Sequence, residues 1–287
     1  MRNIPIYIST CDKTKHVLKP AIALLEKYWN FEKTVKIVGY ADLDINLPAG
    51  YTFSSARQAQ ESINAWANDI YTVLQKETSK HVVFMLDDML QTDYFNTPLF
   101  KILLEKCQTN ENIIRCCLGR DIQQRPHIEL ANFGGATLVE AKENTPYRNV
   151  TQPSLWRTDY LLTVLRSATN PWDFEMHHNG LANGKRIIGT KNVYVSSSLI
   201  ETALSGNHPG KFNILGMKFE DVLGMIEAGM LITDELQYGQ KPGLVPQFSE
   251  YGFNFALDIL KDKKYQSTQI KDNLFTYYSK LYGHIYK

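Results

Sequence analysis

Long apolar segments are missing from this sequence of 287 residues. No stretch reaches the roughly 18 apolar residues that a membrane-spanning helix needs. The first residues also lack the apolar centre of a signal peptide. The sequence therefore predicts a cytoplasmic protein, and peripheral association with a membrane stays open.

An excess of charge of one sign is also missing. The 31 Lys and Arg side chains are balanced by 30 Asp and Glu side chains, which leaves a formal net charge of +1. No cluster of basic residues is present that would follow a phosphate backbone. Nucleic acid is therefore not an expected partner.

Cysteine is scarce, and two glycine motifs do not occur. The four cysteines are Cys11, Cys107, Cys116 and Cys117. No pair has Cys-x-x-Cys spacing, which predicts reduced thiols rather than a disulfide framework or a zinc knuckle. The absence of Gly-x-Ser-x-Gly and Gly-x-Gly-x-x-Gly disfavours a hydrolase and a Rossmann oxidoreductase.

Short apolar runs alternate with segments of helical periodicity. The run His81–Leu86 is almost continuously apolar, as expected of a strand buried on both faces of a mostly parallel sheet. Alternating strands and helices predict a doubly wound α/β fold. The predicted strands cover residues 4–9, 35–40, 51–53, 81–88 and 113–118, and the predicted helices cover 14–29, 62–77 and 97–107.

The second half of the sequence is harder to interpret. Residues 133–141 predict a strand pair interrupted by two glycines, residues 155–165 predict a helix, and a short helix is expected to begin near Pro171. Beyond Val195, loop signals separate helical stretches. We expect one domain over residues 1–215 and a mainly helical extension over 216–287, packed on the same domain.

Two adjacent acids, Asp87 and Asp88, end the buried strand. In open α/β sheets, ligands bind outside the carboxyl ends of the strands. Two carboxylates placed there repel each other and lose water unless a cation compensates them. Oxygen ligands suit Mg²⁺ or Mn²⁺, which also bind a diphosphate. The structural alternative is that one aspartate caps the next segment and the other faces solvent.

Four segments of the sequence together resemble a family of bacterial and viral glycosyltransferases of the GT-A type. They are IYISTCD (residues 6–12), HVVFMLDDML (81–90), QPSLW (152–156) and NPWDFE (170–175). The resemblance covers residues 4–180. It implies a nucleotide-diphospho-sugar transferase-like fold, with a Rossmann-like mixed sheet flanked by helices. The sequence departs from many GT-A enzymes, which have Asp-x-Asp where the acids here are adjacent.

The resemblance also implies roles for individual residues. Asp88 would bind the metal, Mn²⁺ or Mg²⁺, with His208 as a further ligand from a C-terminal loop. The residues implied in binding the nucleotide sugar are Ser9, Thr10, Asp12, Arg57, Asp87 and Trp156. The structural alternatives are a simple polar turn after the first strand, a surface arginine, a core tryptophan and, for His208, an ordinary turn residue.

The segment 170–175 contains the candidate catalytic base. Asn170 is a good helix N-cap, Pro171 fits the first helical position, and Asp173 at the third position is able to accept from the cap N–H group. Glu175 has no such local partner in the sequence. The resemblance places this segment at the acceptor pocket, where an inverting transferase needs a carboxylate base. We therefore predict Glu175 as the base, with Asp173 second.

The predicted function is transfer of a sugar from a nucleotide-sugar donor to a glycan, a lipid-linked acceptor or a surface polysaccharide. One alternative is a sugar nucleotidyltransferase, although residues 9–15 contain no glycine for a triphosphate-binding loop. Another is a protein of the same fold that binds a nucleotide sugar or a carbohydrate without catalysis.

Overall fold

The computed structural model describes residues 4–196 except 13, 30–31, 44 and 60–61, together with 212–213, 221, 225 and 236–237. The chain divides into two compact units, residues 1–200 and 201–287. In the second unit, the two-residue strands Phe212–Asn213 and Leu236–Gln237 pair in parallel. Among the described residues, no helix is both long enough and apolar enough to cross a membrane. The division at residue 215 and the packing of the extension remain predictions.

The first unit is built around one nine-stranded mixed sheet. Its spatial order is β3-β2-β1-β4-β8-β5-β9-β7-β6. Strands β1 to β4 are parallel to one another, and β8 lies antiparallel between β4 and β5. The strands are β1 Pro5–Ser9, β2 Thr34–Gly39, β3 Tyr51–Ser55, β4 His81–Leu86, β5 Ile113–Cys117, β6 His127–Phe133, β7 Ala136–Ala141, β8 Ser154–Arg157 and β9 Arg186–Lys191.

Helices cover both faces of the sheet. The helices are α1 Lys15–Tyr28, α2 Trp66–Leu74, α3 Thr97–Thr109, α4 Thr158–Ser167 and α5 Pro171–Met176. In β4, Val83 and Met85 belong to the core beneath α1 and α3, and Val82 and Phe84 belong to the core beneath α2, α4 and α5. Because neighbouring residues of a strand point to opposite faces, both faces of β4 are apolar. The predicted mixed sheet flanked by helices is confirmed.

The helix predicted over residues 155–165 is wrong in its first part. Residues Ser154–Arg157 form β8, and the helix α4 begins only at Thr158. Leu155 and Trp156 pack on opposite faces of the sheet, which is the alternation of a strand. Two adjacent apolar residues do not distinguish a short buried strand from the start of a helix.

The predicted strand pair near residues 133–141 is confirmed as a hairpin, but its first strand is longer than predicted. Strand β6 begins at His127, and Gly134 and Gly135 form the turn with φ angles of 51° and 89°. Positive φ angles favour glycine, which explains both residues. Five consecutive residues of this edge strand are exposed, so neither of its faces is buried. The sequence therefore lacks the regular alternation of apolar and polar residues that predicts a half-buried strand.

Candidate functional site

The ends of β1 and β4 bring the predicted acids together with the first polar loop. These strands are parallel neighbours, with Ser9 paired to Leu86. The Asp87 N–H donates to the Ser9 carbonyl at 3.0 Å. Residues that follow the two strands therefore meet at one edge of the sheet, which we call the aspartate edge. It contains Thr10, Asp87 and Asp88.

Asp87 is held by two hydroxyl groups. Its Oδ2 accepts from Thr10 Oγ1 at 2.5 Å and from Thr14 Oγ1 at 2.6 Å. The side chain is buried, and this burial together with the neighbouring Asp88 charge raises the pKa of Asp87 to about 8. The hydroxyl groups fix the orientation of the carboxyl group, but they bring no positive charge to it.

Asp88 is buried with one oxygen unpaired. Its side chain is only 8% exposed, and Oδ1 has no hydrogen-bond partner in the part of the chain that the structure describes. Burial, together with the negative charge of Glu175, raises the pKa of Asp88 to about 7. A buried carboxylate oxygen without a partner is costly unless a ligand supplies the missing interaction.

A divalent cation fits this pair of aspartates. No group of three or more His, Cys, Asp and Glu side chains among the described residues is arranged to hold a metal ion. Mg²⁺, however, is usually bound through one or two carboxylates together with substrate phosphates. The unpaired Asp88 oxygen, with Asp87 beside it, meets that requirement.

Glu175 approaches the aspartate edge from α5. Its Oε1 accepts from the Thr151 backbone N–H and from Thr151 Oγ1, both at 2.7 Å. Thr151 precedes β8, whose first residue Ser154 pairs with Phe84 of β4 near this edge. Glu175 therefore has a structural partner that is distant in sequence and that the sequence did not predict. The Oε2 atom accepts no hydrogen bond from any described residue.

Asp173, two residues earlier, has both oxygens occupied. Oδ2 accepts from the Thr169 N–H at 2.8 Å and from its hydroxyl at 2.9 Å, and Oδ1 lies 2.9 Å from His177 Nδ1 and 3.4 Å from His178 Nε2. Burial would raise the pKa of Asp173, but these hydrogen bonds outweigh it and hold the pKa at about 2.

The helix cap predicted for this segment is confirmed, with one change. Asn170 caps α5 by accepting from the Asp173 N–H at 2.9 Å, and Pro171 is the first helical residue. The Asp173 carboxylate, however, accepts from Thr169, the residue before the cap, and not from the cap itself. Its structural role is therefore as predicted, through a different donor.

The residues predicted to bind the nucleoside lie at the same end of the sheet. Ser9 Oγ accepts from Trp66 Nε1 at 3.0 Å, and Asp12 Oδ1 accepts weakly from the Ala41 N–H at 3.5 Å. Arg57 Nε donates to Asp69 Oδ1 at 2.5 Å. Each of these side chains has a partner within the protein.

Another predicted residue, Trp156, does not reach the aspartate edge. Trp156 is completely buried and stacks on Tyr160, with Phe174 against its edge. The alternative interpretation as a core tryptophan describes this position, because no ring face is open to a sugar. His208 lies outside the described residues.

Four residues of the site region were not identified from the sequence. Thr14 and Thr151 hold the carboxylates of Asp87 and Glu175. The Tyr40 hydroxyl and Asp69 Oδ2 are buried without hydrogen-bond partners among the described residues. Burial, followed by the nearby Asp69 charge, raises the pKa of Tyr40. Thr14 and Asp87 are 73 positions apart, so local sequence carries no signal for this contact.

A cavity of about 480 Å³ lies away from these residues. It is lined by the first residue of β4, His81, and by Arg157 and Asp159. Asp87 follows the last residue of the same strand, so the cavity is at the opposite edge of the sheet. None of the predicted site residues lines it.

No family model and no curated protein matches the sequence. Among solved structures, the chain is similar to Staphylococcus aureus TarS 1–349, with a TM-score of 0.41, 12% identity, and coverage of 68% of this chain and 59% of that chain. For the bifunctional IspDF of Campylobacter jejuni, the TM-score is 0.38 and the identity 13%, with coverage of 69% of this chain and 52% of that chain. For a UDP-glucose pyrophosphorylase complexed with UDP-glucose, the TM-score is 0.41 and the identity 10%, with coverage of 69% of this chain and 92% of that chain. The chain thus spans little more than half of the first two proteins, and these likenesses are too distant to assign an activity.

Proposed function

We propose that this chain transfers a sugar from a nucleotide-sugar donor to an acceptor hydroxyl at the aspartate edge. The observation that carries the proposal is the unpaired, buried oxygen of Asp88, next to Asp87 and within the field of Glu175. The carboxylates of Asp87, Asp88 and Glu175 lie near one another, and no positively charged side chain among the described residues compensates them. Such an arrangement costs folding free energy. Such sites are typical of function rather than stability.

The donor diphosphate would lie against Asp88 and Asp87. Asp88 provides the free oxygen for Mn²⁺ or Mg²⁺, and the Thr10 and Thr14 hydroxyl groups keep Asp87 oriented beside it. The cation would neutralise charge on the departing nucleoside diphosphate.

The nucleoside would extend from Asp88 toward the ends of β1 and β2. Ser9 is the last residue of β1, Thr10 and Asp12 follow that strand, and Tyr40 follows β2. The Tyr40 hydroxyl and the Asp69 carboxylate are buried close to each other, and they are groups that hydrogen-bond well to a base or a ribose. Arg57, paired with Asp69, adds a positive charge at the same place.

Glu175 would accept the proton of the attacking hydroxyl. Thr151 fixes one of its oxygens and leaves Oε2 available, so the side chain is oriented yet still able to take a proton. Asp173 is a poorer candidate because both of its oxygens are occupied and its pKa is about 2. An inverting reaction, in which this base acts during attack at the sugar carbon, is part of the proposal.

The test is a thermal-shift screen of nucleoside diphosphates and their sugars, with and without Mn²⁺. A ligand at 100 times its Kd stabilises the folded protein by about 2.7 kcal/mol, which shifts the melting temperature measurably. We expect at least one nucleotide sugar to stabilise the wild type only with Mn²⁺ and to lose this effect in Asp88→Asn. The exposed variant Glu129→Gln is the control.

Three outcomes separate this proposal from its alternatives. If no nucleotide stabilises the wild type, or if Asp88→Asn responds like the wild type, the proposed site is wrong. Pyrophosphate release from a nucleoside triphosphate and a sugar phosphate would identify a nucleotidyltransferase instead. Binding of a nucleotide sugar without transfer or hydrolysis would identify a non-catalytic binding protein.

A further inference from the structure

One of the four tryptophans differs from the others in its exposure. Trp29, Trp66 and Trp156 are at most 3% exposed, whereas Trp172 is 61% exposed. In the described part of the chain, the Trp172 ring makes no stacking or cation contact. An exposed indole offers a large apolar face, and tryptophan is enriched among the residues that contribute most to binding.

Trp172 lies on α5, next to the proposed base. Glu175 is three residues further along the helix and Met176 is four residues further, and such positions are neighbours on a helix surface. Met176 is also exposed. The opposite side of α5 is fixed by Phe174, which is completely buried against Trp66 and Trp156. The indole is thus held on a short helix whose orientation the core determines.

The surface around this indole is polar rather than apolar. Asn170 donates to Asn64 at 2.9 Å, and Asp173 and Glu175 place two carboxylates on the same short helix. A lipid chain would cover the indole but would leave Glu175 Oε2, which accepts no hydrogen bond from a described residue, without a partner. A pyranose ring has an apolar C–H face for an aromatic ring and hydroxyl groups around its rim for amides and carboxylates. Its chemistry therefore matches both parts of this surface.

We propose that Trp172 and Met176 form a platform on which a pyranose ring of a glycan acceptor stacks, with one hydroxyl directed toward Glu175. This inference rests on the proposed function and adds the class of the acceptor to it. Stacking on the platform orders the ring, and Glu175 then selects the hydroxyl within its reach. The acceptor is accordingly a carbohydrate.

The tryptophan distribution gives a direct test. Because Trp172 is the exposed tryptophan and the other three are buried, acrylamide quenches mainly its fluorescence. We expect methyl glycosides from a panel of common hexoses and N-acetylhexosamines to shield it from acrylamide, in the presence of Mn²⁺ and the nucleoside diphosphate found in the thermal-shift screen. In Trp172→Phe the accessible fraction should be missing from the start, which verifies the assignment of the signal.

The binding contribution is measured separately by calorimetry with the glycoside that shields best. Trp172→Ala should weaken its binding by about tenfold or more, as expected for a central tryptophan contact. Trp172→Tyr should recover part of the loss because an aromatic face is restored. The matched control is Ile128→Ala, an exposed apolar residue on the edge strand β6.

Several results would overturn the platform without affecting the donor site. They are shielding by none of the glycosides, shielding by short alkyl alcohols alone, and unchanged glycoside binding in Trp172→Ala. In each case the Mn²⁺-dependent response to a nucleotide sugar would remain and the proposed function would stand. Loss of that nucleotide response in the wild type would instead remove the proposed function itself.

Discussion

Two clusters of buried charge lie on the same sheet, and they differ in how the described protein compensates them. Asp121, after β5, accepts from Arg115 at 2.6 Å and from Arg125 at 2.5 Å. Burial would raise the pKa of Asp121, but the two arginines hold it below its usual value. Asp87 and Asp88 have similar burial and have only hydroxyl groups and another carboxylate nearby, so their pKa values are raised.

The difference separates a structural cluster from the cluster for which we propose a function. Buried charges in a stable structure are paired and hydrogen-bonded, as Asp121 is. The aspartate edge lacks this compensation among the described residues, whereas Arg115 and Arg125 provide it for Asp121. A ligand with positive charge, such as a metal bound to a diphosphate, supplies what the edge lacks.

The largest effect is expected at Glu175. Glu175→Gln should lower sugar transfer by about 100- to 10,000-fold, the usual contribution of a general base. Mn²⁺-dependent nucleotide binding should persist, since the amide oxygen still accepts from Thr151. Initial rates and thermal shifts measure the two properties, with Asp173→Asn as the matched variant. A greater loss of transfer in Asp173→Asn would assign the base to Asp173.

The structural cluster should respond to charge removal with a loss of stability. Asp121→Asn leaves Arg115 buried without its charged partner, and we expect the free energy of unfolding to fall by about 3–5 kcal/mol. Urea denaturation measures this change. Glu129→Gln, which breaks the exposed pair with Lys191, should change the free energy of unfolding very little, because solvent screens such a pair. Equal effects of the two variants would show that the Asp121 cluster is not a buried ion-pair network.

The aspartate edge should respond in the opposite direction. In metal-free protein at about pH 8, Asp88→Asn removes an unpaired buried charge, and we expect a gain of about 1–3 kcal/mol in the free energy of unfolding. Urea denaturation in the presence of a chelator measures it, with Asp42→Asn as the exposed control. A loss of stability in Asp88→Asn would mean that the carboxylate is compensated within the protein.

The pH dependence of stability should also reflect the uncompensated charge of the aspartate edge. The expected change in the free energy of unfolding per pH unit is smaller than the effects of the substitutions. The pKa values of Asp87 and Asp88 are raised to about 8 and about 7, so between about pH 4 and pH 8 the folded state binds more protons than the unfolded state. The stability of the metal-free protein should therefore fall as pH rises through this window, by at most about 1.4 kcal/mol per pH unit for each proton. Asp88→Asn should flatten the fall, and a rise in wild-type stability would contradict the raised pKa values.

Much of the fold could be predicted because its strongest patterns are local. The apolar run of β4, the helical spacing in α1 and the cap of α5 were all confirmed. The strand β8 was missed because Leu155 and Trp156 are apolar on both faces and continue directly into α4. Whether a short apolar segment becomes a strand depends on its neighbours in the sheet, here β4 and β5.

The sequence singled out the charged residues of the candidate site but not their hydrogen-bond partners. Asp87, Asp88 and Glu175 stood out as carboxylates with a chemical role, and the structure brings their charges close together. Thr14 and Thr151 were missed because a threonine gives no sign of which carboxylate it will hold. Trp156 was predicted to bind the nucleotide sugar, but it lies in β8 and its side chain is buried in the core.

The sequence by itself determined the order of strands and helices through β5 and the position of an acid pair at the end of a buried strand, because these depend on apolar periodicity along the chain. Only the tertiary structure decided that Asp88 keeps an unpaired oxygen, that Thr151 fixes Glu175, and that Trp172 stays exposed while the other tryptophans are buried. Those properties depend on contacts between segments far apart in sequence, since burial and pairing are set by what packs against a residue rather than by the residues beside it.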